Sequence, residues 1–222
     1  DVTGTIDAAD GNTGVGVDVF AALTSGDNNV AVGYQTLNDV TTGSNNVAIG
    51  DRAGDKISTG GSNTAIGGSA LGSNTTASNN TAIGYAALDA NTTGAQNTAV
   101  GSLVLDVNTT ASGNTGMGYA ALSSNTTGAS NTAIGYGSLN QNTTASNNTA
   151  VGHSALEANT TGTGNVALGR NSLAANTTAS YNTGLGENAL LANTTGASNT
   201  AVGNNALDSN TTASNNTAVG QS

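Results

Sequence analysis

Residues 80–96 read Asn-Thr-Ala-Ile-Gly-Tyr-Ala-Ala-Leu-Asp-Ala-Asn-Thr-Thr-Gly-Ala-Gln. Residues 97–113 repeat the pattern as Asn-Thr-Ala-Val-Gly-Ser-Leu-Val-Leu-Asp-Val-Asn-Thr-Thr-Ala-Ser-Gly. Worked outward, the same 17-residue unit starts at Asn12, Asn29, Asn46, Asn63, Asn80, Asn97, Asn114, Asn131, Asn148, Asn165, Asn182, Asn199 and Asn216, with no insertion or deletion. Catalysis needs unlike residues converging on one point, and a chain built that way does not hold such a register. A strict short period signals a solenoid, in which each unit covers the open face of its neighbour. At about 4.8 Å per rung, thirteen units would span about 60 Å.

Composition agrees. Of the 222 residues only 7% are charged, and one Phe, five Tyr and no Trp leave no material for a bulky globular core. The absence of Pro suits continuous backbone ladders, because Pro lacks the N–H that a rung must donate. A net charge of −10 with three basic residues, Arg52, Lys56 and Arg170, argues against a nucleic-acid partner. No Cys means no disulfide framework and no thiolate metal site. No apolar run is long enough to span a membrane, and no cofactor is expected. Without an initiating Met or a leader, the chain reads as a processed or excised portion of something longer.

With the marker Asn as position 1, each position has its own rule. Position 5 is Gly in every unit, which suits a positive φ or a close backbone approach. Position 4 is always aliphatic or Met, and position 9 is Leu except at Phe20 and Gly54. Position 3 is only Ala or Gly, so something packs tightly there, and a neighbouring chain would fit. Positions 6, 7, 10, 11 and 17 vary and carry nearly all the charge, so they face solvent. These rules predict two strands per unit, at positions 2–4 and around 12–14, with turns at position 5 and at 15–17. Positions 6–9 are either a helical turn or a third extended piece.

Position 12 is Asn at Asn74, Asn91, Asn108, Asn125, Asn142 and onward to Asn210, but Leu23, Val40 and Ile57 earlier, with Ile6 in a partial unit. A site that accepts Asn or a large aliphatic faces inward, and inward amides are expected to bond their copies one rung away. The Asn at position 1 forms a second ladder or holds a turn. This change at position 12 divides the chain into residues 1–62, with aliphatic position 12 and acidic loops, and residues 63–222, with regular Asn-Thr-Thr units. Position 15 alternates Gly and Ala from Gly60 onward, with position 16 largely in step. That 34-residue rhythm points to an ancestral two-unit block, or to a coil of two units.

The fold class expected is therefore all-β, a parallel β-solenoid or β-roll of thirteen units. With two large aliphatics per unit its core is thin, and lateral packing against other copies would add to it.

The strand Asn-Thr-Ala-Ile-Gly (80–84 and 131–135), with Asn-Val-Ala-Ile-Gly at 46–50, resembles the head repeat of trimeric autotransporter adhesins, the YadA-like head. The match runs from Asn12 to Gly220. That resemblance implies a left-handed parallel β-roll, three chains about one axis, and an extracellular, non-enzymatic adhesive surface. Related repeats occur in phage tail fibres. The family's unit is shorter, so the Asn-Thr-Thr segment widens the roll, and neither a heptad stalk nor an anchor barrel follows.

Several side chains invite a functional reading. Nine Asn-Thr-Thr triplets match the N-glycosylation sequon, but an inward Asn cannot carry a glycan, whereas Thr75 and Thr92 would point outward, open to O-linked sugar. His153 is the lone histidine and reads as an exposed residue beside Arg170 and Glu187 in the same column, so no nucleophilic triad can be argued. Tyr119 and Tyr136 share position 6 on adjacent rungs, where they either stack or contact a host protein or glycan. Eight of thirteen acids precede residue 58, among them Asp10, Asp18 and Asp27, without calcium-loop spacing. Residues 51–56 lose the Leu and gain both charges, which marks an irregularity or a partner contact.

The leading functional expectation is an extracellular structural or adhesive rod that pairs with itself as a homotrimer or end to end as a filament. A phage tail-fibre shaft and an ice-binding solenoid are the alternatives. Against the last, adjacent Thr75 and Thr76 on a strand would point to opposite sides, leaving one outward Thr column.

Overall fold

A computed structural model describes residues 11–221; Ile6 and Asp10 lie outside them. It divides into two compact units, Asp1–Gly113 and Asn114–Ser222. The first holds β1 (Thr13–Val15), β2 (Val30–Val32), β3 (Val47–Ile49), β4 (Thr64–Ile66), β5 (Thr81–Ile83) and β6 (Thr98–Val100). The second holds β7 (Thr115–Met117), β8 (Thr132–Ile134), β9 (Thr149–Val151), β10 (Val166–Leu168), β11 (Thr183–Leu185), β12 (Thr200–Val202) and β13 (Thr217–Val219). Within each unit neighbouring strands are parallel and in register, as in Thr64↔Thr81, Ala65↔Ala82 and Ile66↔Ile83, or Thr132↔Thr149, Ala133↔Ala150 and Ile134↔Val151. One coil takes 17 residues: the protein is an all-β parallel solenoid. The change at residues 62 and 63 falls inside the first unit, and the register runs through it (Val47↔Thr64).

There is one strand per coil, not two. At positions 12–14 only the N–H groups of the two Thr reach the next coil, and both approach the same carbonyl: Thr160 N–H and Thr161 N–H to Thr177 O at 2.8 and 3.3 Å. A strand would alternate its bonds between two neighbours. Positions 6–9 are neither helix nor strand. Backbone φ is positive at positions 7 and 9 of every described coil, for example Ala86 (53°) and Leu88 (54°), with negative values between. This alternation turns successive N–H groups to opposite neighbours, so Ala86 N–H donates backward to Gly68 O and Leu88 N–H forward to Val104 O. The peptide groups find partners in adjacent coils without a strand.

The left-handed region costs an L-residue about 1–2 kcal/mol, and position 17 is held there too, at Gln96 with φ 60°. Gly113 (φ 72°) and Gly164 (φ 65°) occupy that same position in other coils. Gln96→Gly is therefore expected to stabilise the protein by about 0.5–1 kcal/mol, net of the entropy glycine loses on folding. A higher urea midpoint at unchanged slope is the readout.

Position 3 faces inward. Ala82, Ala133 and Ala150 are fully buried within their own coils, and a Cβ on Gly14 would meet Val19 Cγ1 at 2.9 Å and Phe20 Cδ2 at 3.1 Å. The tight packing inferred there is packing against positions 8 and 9, so position 3 is no interface between chains. Behind it run the buried leucines of position 9: Leu71, Leu88 and Leu105 in the first unit, Leu122, Leu139, Leu156, Leu173 and Leu190 in the second. Gly54 replaces one of them without an irregularity. It keeps the same turn (φ 61°), and the Ile57 side chain from position 12 fills in, with Cδ1 3.0 Å from where a Cβ would stand.

The 34-residue rhythm has a hydrogen-bond cause. In coils with Gly at position 15, the N–H of position 16 donates to the Ser Oγ of the next coil: Ala95 to Ser112 at 3.0 Å, Ala129 to Ser146 at 2.9 Å and Thr163 to Ser180 at 3.0 Å. Coils are thus joined in pairs, although each closes within 17 residues.

Candidate functional site

Each coil has three sides of different chemistry around a polar seam. The seam consists of the asparagines. At position 12, Nδ2 of Asn91 donates to Asn74 Oδ1 (3.1 Å) and Asn108 to Asn91 (3.0 Å). In the second unit Asn142 donates to Asn125 (2.8 Å), Asn159 to Asn142 (2.9 Å) and Asn176 to Asn159 (3.0 Å). At position 1 the amide closes its own coil, since Asn80 Nδ2 reaches Gly94 O and Asn148 Nδ2 reaches Gly162 O, both at 2.9 Å. The same closure is made by Asn12, Asn29, Asn46, Asn63, Asn97, Asn114 and Asn131. Their Oδ1 atoms serve the next coil, as where Asn148 N–H donates to Asn131 Oδ1 at 3.0 Å. The position 15 carbonyl accepts from both seams: Gly162 O takes Asn148 Nδ2 and Asn159 Nδ2. From Asn74 to Asn193 the sequon asparagines are buried, so a glycan on them is incompatible with the folded coil.

The variable side, positions 6–11, carries nearly all the charge, with Asp27 at position 16 the exception among the described residues. Tyr119, Tyr136 and His153 form one continuous stack, with ring centroids 5.3 and 5.1 Å apart and planes within 19° and 9°. Stacking occupies both faces of the Tyr136 ring, which therefore offers its edge and phenol hydroxyl to solvent. His153 as a member of the stack was not legible in the sequence, although its shared column with the tyrosines was the available signal. Farther along that column Arg170 meets Glu187 at 3.0 Å, and at positions 10 and 11 of the first unit Lys56 meets Asp39 and Asp55 at 3.1 and 3.3 Å. Exposed pairs of this kind contribute at most about 1 kcal/mol. Among the described residues no three metal-ligating side chains gather in one place, and no helix is long and apolar enough to cross a membrane.

One group on this side is badly placed. Asp106 Oδ1 is the only buried side-chain polar atom without a hydrogen-bond partner among the described residues. Burial pushes the Asp106 carboxyl above the usual range, and the Asp89 charge one coil away adds to it; burial also raises Asp89. Where position 10 is Asn, the amide donates to the position 7 carbonyl one coil back: Asn38 to Asp18 O (2.9 Å) and Asn140 to Ala120 O (3.1 Å). Asp106→Asn should gain the matching bond to Ala86 O, stabilising the protein at neutral pH by about 1 kcal/mol. A raised folded pKa favours the folded chain below the unfolded Asp value of about 3.9 and loses that contribution as pH rises through the folded value. The variant's advantage should therefore shrink towards about pH 4, as thermal melts across pH would show.

The sheet side is uncharged. Position 2 (Thr or Val) and position 4 (aliphatic or Met) both point outward and stay partly in solvent, with Ile83 37%, Met117 43% and Leu168 49% exposed. The third side, positions 12–17, repeats burial every three residues: Asn159 buried, Thr160 half-buried, Thr161 exposed, Gly162 buried. Because this segment is no strand, adjacent threonines do not point to opposite sides, and both lie on the outer surface.

The fold and its seams define a parallel β-solenoid scaffold protein with 17-residue coils and asparagine-closed turns. No family model, no curated protein and no solved structure matches the chain.

Proposed function

We propose that the protein is an extracellular, non-enzymatic structural repeat protein that associates laterally with copies of itself and presents an adhesive surface. The observation that carries this reading is the sheet side. In the first unit it aligns Val15, Val32, Ile49, Ile66, Ile83 and Val100, and in the second Met117, Ile134, Val151, Leu168, Leu185 and Val202, with no charged residue at positions 1–5 of any coil. A contiguous apolar strip of this kind marks an interaction surface. Charge is held on the variable side, which leaves that side for solvent and for a host protein or glycan. Three left-handed copies about one axis is the arrangement that the adhesin-head resemblance implies, and packing them through the sheet side would bury position 4 and supplement a core built from one Leu and small residues per coil.

Mass by light scattering tests the reading. The 21.2 kDa chain is expected to elute as a multimer, and a variant carrying both Ile134→Lys and Val151→Lys as a monomer with an unchanged circular-dichroism spectrum. A monomeric parent protein would sink it.

A further inference from the structure

The threonine side has a chemistry that lateral association does not use. In the second unit Thr126–Thr127, Thr143–Thr144, Thr160–Thr161, Thr177–Thr178, Thr194–Thr195 and Thr211–Thr212 recur at identical positions on consecutive coils. The first member of each pair is locked: Thr126, Thr143, Thr160, Thr177 and Thr194 donate Oγ1–H to the backbone carbonyl of the corresponding Thr one coil on, at 3.0–3.2 Å. The second member is exposed on every one of these coils. No charged residue occurs at positions 12–17 anywhere in the second unit.

We infer that this threonine rank is an ice-binding face. A protein partner has an irregular surface, and the patches that bind one are centred on unlike anchors such as Trp, Tyr and Arg. This face has one short polar side chain repeated by translation, so its partner must repeat too, at about the 4.8 Å spacing of the rungs. A second copy of the chain repeats in that way, but packing against it would strip water from each exposed Thr hydroxyl without supplying a fixed partner. A crystalline polysaccharide would repeat as well, but stacking on sugar rings needs exposed aromatic faces, and Tyr181 is the only aromatic at positions 12–17 of the second unit. Ice is neutral and periodic, and it offers a hydrogen-bond partner to every hydroxyl beside every methyl. The locked first rank ties coil to coil beside the second, so the exposed hydroxyls repeat at the spacing of the coils.

The test is ice-crystal morphology and thermal hysteresis of the purified full chain, with Thr161→Tyr and, on the sheet side, Ile134→Lys measured alongside. Thr161 is exposed, and melting of each variant verifies its fold. The parent protein is expected to facet ice and hold it below its melting point, Thr161→Tyr to lose most of that hysteresis while staying folded, and Ile134→Lys to keep it. Unshaped ice with the parent protein would overturn the inference, as would hysteresis that survives Thr161→Tyr or is lost in Ile134→Lys. Lateral association stands or falls separately, because it rests on the sheet side and is read by mass.

Discussion

Gly152→Ala is expected to destabilise the protein by about 3–5 kcal/mol, more than any single surface change. Two costs combine. Gly152 sits at φ 136°, a conformation that side-chain-bearing residues rarely adopt. A Cβ there would also stand 2.6 Å from both the carbonyl carbon and the oxygen of Gly169 and 3.1 Å from Arg170 N. All three atoms are backbone of the next coil, so no side chain can swing away, and relief means separating the coils. Separation would break Gly169 N–H to Val151 O, now 2.8 Å. Gly137→Ala provides the contrast: its φ is 61° and its added Cβ would meet only Ser154 Oγ, at 3.9 Å. Ala86 and Ala120 already hold that position in other coils, so the cost should stay within about 1 kcal/mol. Urea unfolding followed by far-ultraviolet circular dichroism compares the two. Equal midpoints would show that the invariant glycine does not set the coil spacing.

Asn159→Ala is expected to cost about 3 kcal/mol. The substitution deletes the bonds from Asn159 Nδ2 to Asn142 Oδ1 (2.9 Å) and Gly162 O (3.0 Å), together with the acceptor of Asn176 Nδ2 (3.0 Å). Gly162 O keeps Asn148 Nδ2 and Asn176 keeps Ala179 O. The loss is therefore a break in the seam and not the exposure of every group in it. At the ladder's first rung the same chemistry predicts less. Asn74→Ile continues the aliphatic position 12 of Ile57 and removes an acceptor only from Asn91 Nδ2, which keeps Gly94 O, so about 1 kcal/mol should be lost. If interior and terminal rungs proved equally sensitive, the seam would not be cooperative.

The 17-residue period and the parallel solenoid were legible because each coil meets only its neighbours, so spacing in sequence becomes spacing in space. The exchange of Asn for Leu, Val or Ile at position 12 was a readable mark of an inward site, since only a buried position tolerates that swap without drifting to other polar residues. The sequence leaves the side on which position 3 packs open, because an Ala or Gly rule reports close packing without saying on which side it lies. The second strand was expected from the position rules of the unit, yet two consecutive N–H groups there point to one neighbour. The positive φ at position 17 left a mark, since Gly or Asn fills eight of its thirteen copies, whereas that at position 9 left none, for Leu fills it in spite of its backbone preference. Burial of that side chain outweighs a cost of about 1–2 kcal/mol. The two-threonine side was hidden for the same reason as the missing strand, since side-chain direction was read from a strand geometry that the segment does not adopt.

The sheet side as the contact between copies is tested most directly by cysteine cross-linking, since the native chain has no Cys. Ile134→Cys places one thiol on the sheet side, and Thr144→Cys places one on the exposed threonine side. Under mild oxidation Ile134→Cys should form a disulfide-linked pair of chains at dilute protein concentration, and Thr144→Cys should remain single. Efficient linking through Cys at position 144, or none at position 134, would contradict the account.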